Sequence, residues 1–168
     1  MDGGPAMSAA ADLTIVVHGA PAPQGSKRYV GGRMVESSKA VVPWRNAVTI
    51  AAAEARGEEP LDGPLAVAMT FTMGLQPASR PTWWTPGVRW SKTLRWRPAS
   101  APDLSKLARA TEDALTDAAA WRDDARVVEY RRLAKHYIGD SAVDVLPTAG
   151  AVIHIWRIGP DAEEAATP

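Results

Sequence analysis

The hydrophobic and polar positions set out a short series of elements. Leu13–His18 (LTIVVH) is an apolar run that predicts a first strand. Residues 42–56 place Trp44, Ala47, Val48, Ala51 and Ala55 on one face at helical spacing, with Pro43 in the first turn. Residues 65–73 alternate, with Val67, Met69, Phe71 and Met73 on one side, and predict a second strand. Pro102 and Asp103 then open a helix in which Leu104, Leu107, Ala108, Thr111, Ala114 and Leu115 recur three and four residues apart. That pattern fades near Asp117. Residues 126–137 are rich in β-branched and aromatic types and predict a third strand, and residues 151–158 alternate as a fourth.

The order is β-α-β-α-β-β. It predicts a single small α/β (α+β) domain over residues 12–158, with one mixed four-stranded sheet and two helices. Residues 1–11 are small and polar-leaning and are expected to be disordered, and residues 159–168 form an acidic tail expected to be loose. Two connections stand apart. Residues 19–32 are rich in Pro and Gly and predict a loop closed by a hairpin turn at Gly31-Gly32. Residues 75–100 carry four of the seven Trp, and three prolines between Pro77 and Pro86 oppose regular structure.

Composition excludes several functions. There is no Cys, so there is no disulfide framework, thiol nucleophile or cysteine zinc site. No stretch approaches the length of a membrane span. The first 26 residues lack Lys and Arg, which argues against a signal peptide. A cytoplasmic protein with no membrane partner is expected. The net charge is zero, yet the charges are segregated. Lys27, Arg28, Arg33 and Lys39 face Glu36 alone in residues 20–40, and residues 76–100 carry Arg80, Arg89, Lys92, Arg95 and Arg97 with no acid. Acids gather in residues 103–129 and in the tail. Basic flanks around an acidic centre suit a metal-dependent enzyme acting on a polyanion. Trp interleaved with Arg offers both stacking surfaces and phosphate partners, or an arm packed on the core.

The acidic centre carries the chemistry. Asp103 begins the second helix, and Asp123 and Asp124 stand at the mouth of the following strand. A loop between the two elements can bring such ends together. Carboxylates that close repel one another unless a cation lies between them, and Mg²⁺ or Mn²⁺ suits oxygen ligands. The plainer alternative is a helix cap at Asp103 and a turn at Asp123-Asp124. His18, His136 and His154 lie in or beside strands, and none is paired with another at ligand spacing.

The segment Asp103-Leu104-Ser105-Lys106-Leu107, then Arg109, then Asp113-Ala114-Leu115, then Trp121-Arg122-Asp123-Asp124-Ala125-Arg126-Val127-Val128 resembles the RusA-type Holliday-junction resolvases. Their pattern is Asp-Leu-Asp-Asn-Leu, a basic residue two positions on, Asp-Ala-Leu, and Trp-x-Asp-Asp-x-Gln-Val-Val. The glycine- and proline-rich loop before Lys27 also resembles that family's first-strand loop. The resemblance implies a homodimeric endodeoxyribonuclease that cuts branched DNA during recombination in a bacterial or phage-infected cell. It places metal binding on Asp103 and Asp124, with Asp123 beside them. The family's catalytic lysine falls on Arg109. Phosphate contact is expected from Lys27, Arg28, Arg33, Arg89, Lys92, Arg95, Arg97 and Lys106. One motif aspartate is Ser105 here. The alternatives are therefore a junction-binding protein without catalysis, or a nuclease of flaps and single strands.

Overall fold

The computed structural model describes residues 9–25, 27–36 and 39–160, with only the backbone described at 27–30 and 33–36. Strand β1 (Leu13–His18) alternates buried and exposed positions, sending Leu13, Ile15 and Val17 into the core. Strands β2 (Lys27–Val30) and β3 (Arg33–Glu36) form an antiparallel hairpin. Its turn is Gly31-Gly32, with φ of 55° and 81°. A two-residue hairpin turn needs positive φ at both positions, so glycine is the residue suited to each. The expected turn is thus present, and the last part of the expected loop, Lys27–Val30, is a strand.

Helix α1 (Val41–Ala55) buries Val41, Trp44, Val48 and Ala52. Ala55, expected on that face, is the last residue of the helix and is exposed. Strand β4 (Leu65–Thr72) is buried at every position, where alternation was expected. It lies between β5 (Val127–His136) and β6 (Gly150–Arg157) in the sheet order β1-β6-β4-β5. Leu65, Val67, Met69 and Phe71 face the helices. On the other side Thr70 Oγ1 accepts from Arg132 Nε at 3.2 Å and Thr72 Oγ1 accepts from the Leu146 amide at 2.9 Å. Small or hydrogen-bonded residues let that second face be covered too.

The sheet is mixed, since β4 and β5 run parallel while β6 runs antiparallel to β1 and β4. Helix α2 (Leu104–Asp117) buries Leu107, Ala108, Ala110, Thr111, Ala114 and Leu115. The two helices meet over the core, where Trp44 Nε1 donates to Thr111 Oγ1 at 3.1 Å and Thr111 Oγ1 donates to the Leu107 carbonyl at 2.8 Å. Both polar groups are satisfied, so Trp44 is fully buried without penalty. A buried side chain of this size is worth about 3–5 kcal/mol against alanine. The main sheet and helices keep the expected succession, with the β2–β3 hairpin inserted before α1.

Of the ends expected to be disordered or loose, 1–8 and 161–168 lie outside the described residues. Residues 9–11 have no regular structure, yet the Ala9 carbonyl accepts from Trp156 Nε1 at 2.7 Å.

Candidate functional site

Asp103 occupies the N-cap position of α2 with extended backbone, φ −64° and ψ 134°, but its carboxylate makes no capping hydrogen bond. The side chain turns outward instead, 63% exposed, with Lys106 Nζ 3.8 Å away. The plain capping role is therefore not the one this carboxylate fills. Asp123 does serve its turn: it accepts from the Ala125 amide at 2.7 Å and caps a 3-10 turn over Asp124–Arg126. That backbone bond, then a hydrogen bond with Asp124, holds the Asp123 carboxyl below the ordinary carboxylate range. Arg109 projects from the exposed side of α2, its Nε 3.5 Å from Asp113 Oδ1. Ser105 is exposed on the first turn of the same helix.

Residues that the motif did not mark also gather here. The Tyr130 hydroxyl donates to Glu112 Oε1. Burial pushes the Glu112 carboxyl above its ordinary value; the Tyr130 bond opposes that, and the negative charge of Asp124 adds to it. Burial and the Glu112 bond likewise raise the Tyr130 hydroxyl. Asp124 thus belongs with Glu112 and Tyr130. Asp103 stands near two cations, Lys106 and Lys135. Nine residues of helix, about 13 Å at 1.5 Å each, separate Asp103 from Glu112.

Lys135 was missed for a physical reason. Alternation would put Tyr130 and Lys135 on opposite faces of β5. Register shifts leave Val128 and Arg131 without a partner on β4, so β5 carries two bulges. The second bulge resets the parity. Tyr130, Leu133 and Lys135 then all face the helix side, toward Glu112, the core and the residues before α2 respectively.

Among the described residues no three His, Asp or Glu side chains come together around a common point. The donor chemistry still fits one kind of ion. Mg²⁺ binds through one or two carboxylates and keeps the rest of its shell for water and substrate phosphate. Asp103 is an exposed oxygen donor and Asp124 a half-buried one, and the charge of Asp124 is felt at Glu112.

The basic segments are anchored to this helix. The Gln24 amide donates to the Lys106 carbonyl at 3.0 Å, tying the loop before the β2–β3 hairpin to the first turn of α2. The side chains of Lys27, Arg28 and Arg33 lie outside the described residues. Residues 76–96 form an arm closed at its base by Gln76, whose Nε2 donates to the Leu94 carbonyl at 2.9 Å and whose Oε1 accepts from the Trp96 amide at 3.1 Å. Within it Trp84 and Trp96 meet edge to face at 5.5 Å, with Trp90 at 6.3 Å from Trp96 and Trp83 at 5.9 Å from Trp84. The Trp residues therefore build the arm by packing on one another. Arg80, Arg89, Lys92, Arg95 and Arg97 stay exposed around them. Arg97 also donates to the Lys135 carbonyl at 3.3 Å, and Arg95 lies over Gly139.

Two of the histidines are held in hydrogen-bonded networks away from the acidic residues of α2. His136 is buried, its Nδ1 2.7 Å from Asp140 Oδ2, with Arg132 and Arg97 at its Nε2. His154 bridges Thr14 and Asp144. No helix among the described residues is long and apolar enough to cross a membrane.

No curated protein matches the chain. A family model described as endodeoxyribonuclease RusA matches residues 18–145. That span takes in the glycine-rich loop, both anchored basic segments, α2 and the whole of β5. The chain belongs to the endodeoxyribonuclease RusA family.

Proposed function

We propose that the protein is a metal-dependent endodeoxyribonuclease that hydrolyses phosphodiester bonds in branched DNA, Holliday junctions foremost. One observation carries the reading: the loop before the β2–β3 hairpin is tied by a backbone hydrogen bond to the first turn of α2, and the basic arm is tied through Arg97 and Lys135 to the segment that presents Asp103. Charge that holds DNA is thus fixed to the carboxylate that would meet it. Mg²⁺, with Mn²⁺ as a substitute, would be held by Asp103 and Asp124 with Asp123 alongside, and when bound it supplies polarisation of the scissile phosphate and an activated water.

The chain's own residues do the rest. Arg109 stays protonated at any working pH, so it acts as a fixed positive fork for charge developing on the phosphate and not as an acid or base. Arg89, Lys92, Arg95 and Arg97 bind the phosphate backbone from the arm. Lys27, Arg28, Arg33 and Lys106 add further contacts to the phosphate backbone. A homodimer matches the two-fold symmetry of a four-way junction and would deliver two paired cuts.

The test is cleavage of a synthetic four-way junction in Mg²⁺ and in chelator. The expected result is paired incisions that need the metal. Asp103→Asn and Asp124→Asn should each abolish cutting while leaving junction affinity within about twofold. A variant that still cuts at the wild-type rate removes that residue from the site. Ser105, in the place of a family aspartate, favours a second reading: a junction-binding protein without catalysis. Tight binding with no cleavage of junction, flap or single-stranded DNA in either metal would establish it.

A further inference from the structure

Lys135 sits at the end of β5 and is partly buried. Its ammonium donates to two backbone carbonyls, Ser100 at 2.6 Å and Pro102 at 2.8 Å. Those carbonyls flank Ala101 in the short segment that ends the basic arm and leads into Asp103. Short charge-assisted bonds of this kind are about twice as strong as neutral ones. The backbone of the same residue accepts from Arg97, through Nε and Nη2 at 3.3 Å each. The next residue, His136, takes further bonds from Arg97 and Arg132 and holds Asp140. One dipeptide of β5 therefore grips the arm and the start of α2 together.

We propose that Lys135 is a positioning residue for Asp103, clamping the Ser100 and Pro102 carbonyls so that the carboxylate and the basic arm are held in one fixed relation. The physical need is clear. Asp103 makes no capping bond with its side chain, so the carboxylate itself does not fix the entry of the chain into the helix. The first helical amides, Lys106 and Leu107, both bond to the Asp103 carbonyl at 3.1 and 3.0 Å, so a shift at Asp103 is felt in that turn. Burial lowers the proton affinity of the Lys135 ammonium, and the negative charge of Asp103 opposes that. The inference rests on the nuclease reading for its catalytic consequence, but not for the clamp itself.

The test uses the full chain with Lys135→Met and Lys135→Arg. Methionine keeps the stem and removes the donors, whereas arginine can bridge two carbonyls with its planar fork. In metal-free protein, amide exchange at Lys106 and Leu107 should speed up in Lys135→Met and return toward wild type in Lys135→Arg. On a four-way junction in Mg²⁺, Lys135→Met should lose about 30-fold or more in single-turnover rate, with affinity within about twofold, and Lys135→Arg should recover most of it. Unchanged exchange in Lys135→Met overturns the clamp. Faster exchange with an unchanged cleavage rate overturns the positioning role. If the wild type cuts no DNA, the nuclease reading fails on that result alone, and the exchange measurement still decides the clamp.

Discussion

Ser105 stands where a family aspartate is expected, and its hydroxyl offers a divalent ion only a neutral oxygen. Glu112 does not replace it, because it lies two turns along α2, about 10 Å at 1.5 Å per residue, and its carboxylate is engaged by Tyr130. Glu129, the other acid near enough in sequence, pairs with Arg131 at 3.1 Å. Ser105→Asp should therefore lower the Mg²⁺ concentration for half-maximal cleavage by about tenfold; an unchanged requirement removes Ser105 from the ion's surroundings. Glu112 makes a separate prediction. Its folded carboxyl holds a proton more tightly than the ordinary value of 4.5. The folded state is then favoured below that value and loses ground as pH rises through the window above it. Glu112→Gln keeps the acceptor for Tyr130 and removes that loss. In chelator its Tm should exceed wild type by about 2 °C at pH 7, with the difference vanishing near pH 4. A difference independent of pH would show that the charge is not the cause.

Helix α2 was legible at the level of the element because its stripe of Leu107, Ala108, Thr111, Ala114 and Leu115 obeys one period throughout. Strand β5 was legible only as a strand. Its bulges at Val128 and Arg131 depend on pairing with β4, and no count along the chain reveals where parity resets. Asp103, Asp124 and Arg109 could be named from their motif, while Lys135 and Tyr130 became visible only once β5 lay beside α2. Strand β4 misled for a related reason. Alternation marks a strand with one wet face, and Thr70 and Thr72 looked like that face until Arg132 and Leu146 were found bonded to them. Where strands β1 and β6 meet, His18 pairs with Gly150, and a Cβ on Gly150 would collide with the Val17 carbonyl oxygen. A backbone atom inside a sheet does not yield as a side chain does. Gly150→Ala should cost at least about 2 kcal/mol, read as a lower urea midpoint; an unchanged midpoint would mean that β1 can move aside.

For the whole molecule, a net charge of zero conceals a division of labour. The arm owes its shape to Trp packing and to Gln76, so its cations are carried by a built loop. Arg89 and Lys92 are exposed on it, whereas Arg97 also holds Lys135 and His136. Replacing Arg89 and Lys92 together by Ala should thus weaken junction binding without disturbing the site. The slope of log affinity against log salt should fall by roughly two units. An unchanged slope would show that the arm does not meet phosphate.

The two bulges of β5 reach beyond the site. Strand β5 is an open edge of the sheet, and a regular edge is a template on which a foreign strand can grow. A ladder laid against β5 would lose register at Val128 and again at Arg131, within four residues. Exposed Glu129 and Arg131 would also stand in its path. The irregularity that aims Tyr130 and Lys135 at α2 therefore also protects the protein against edge-to-edge aggregation.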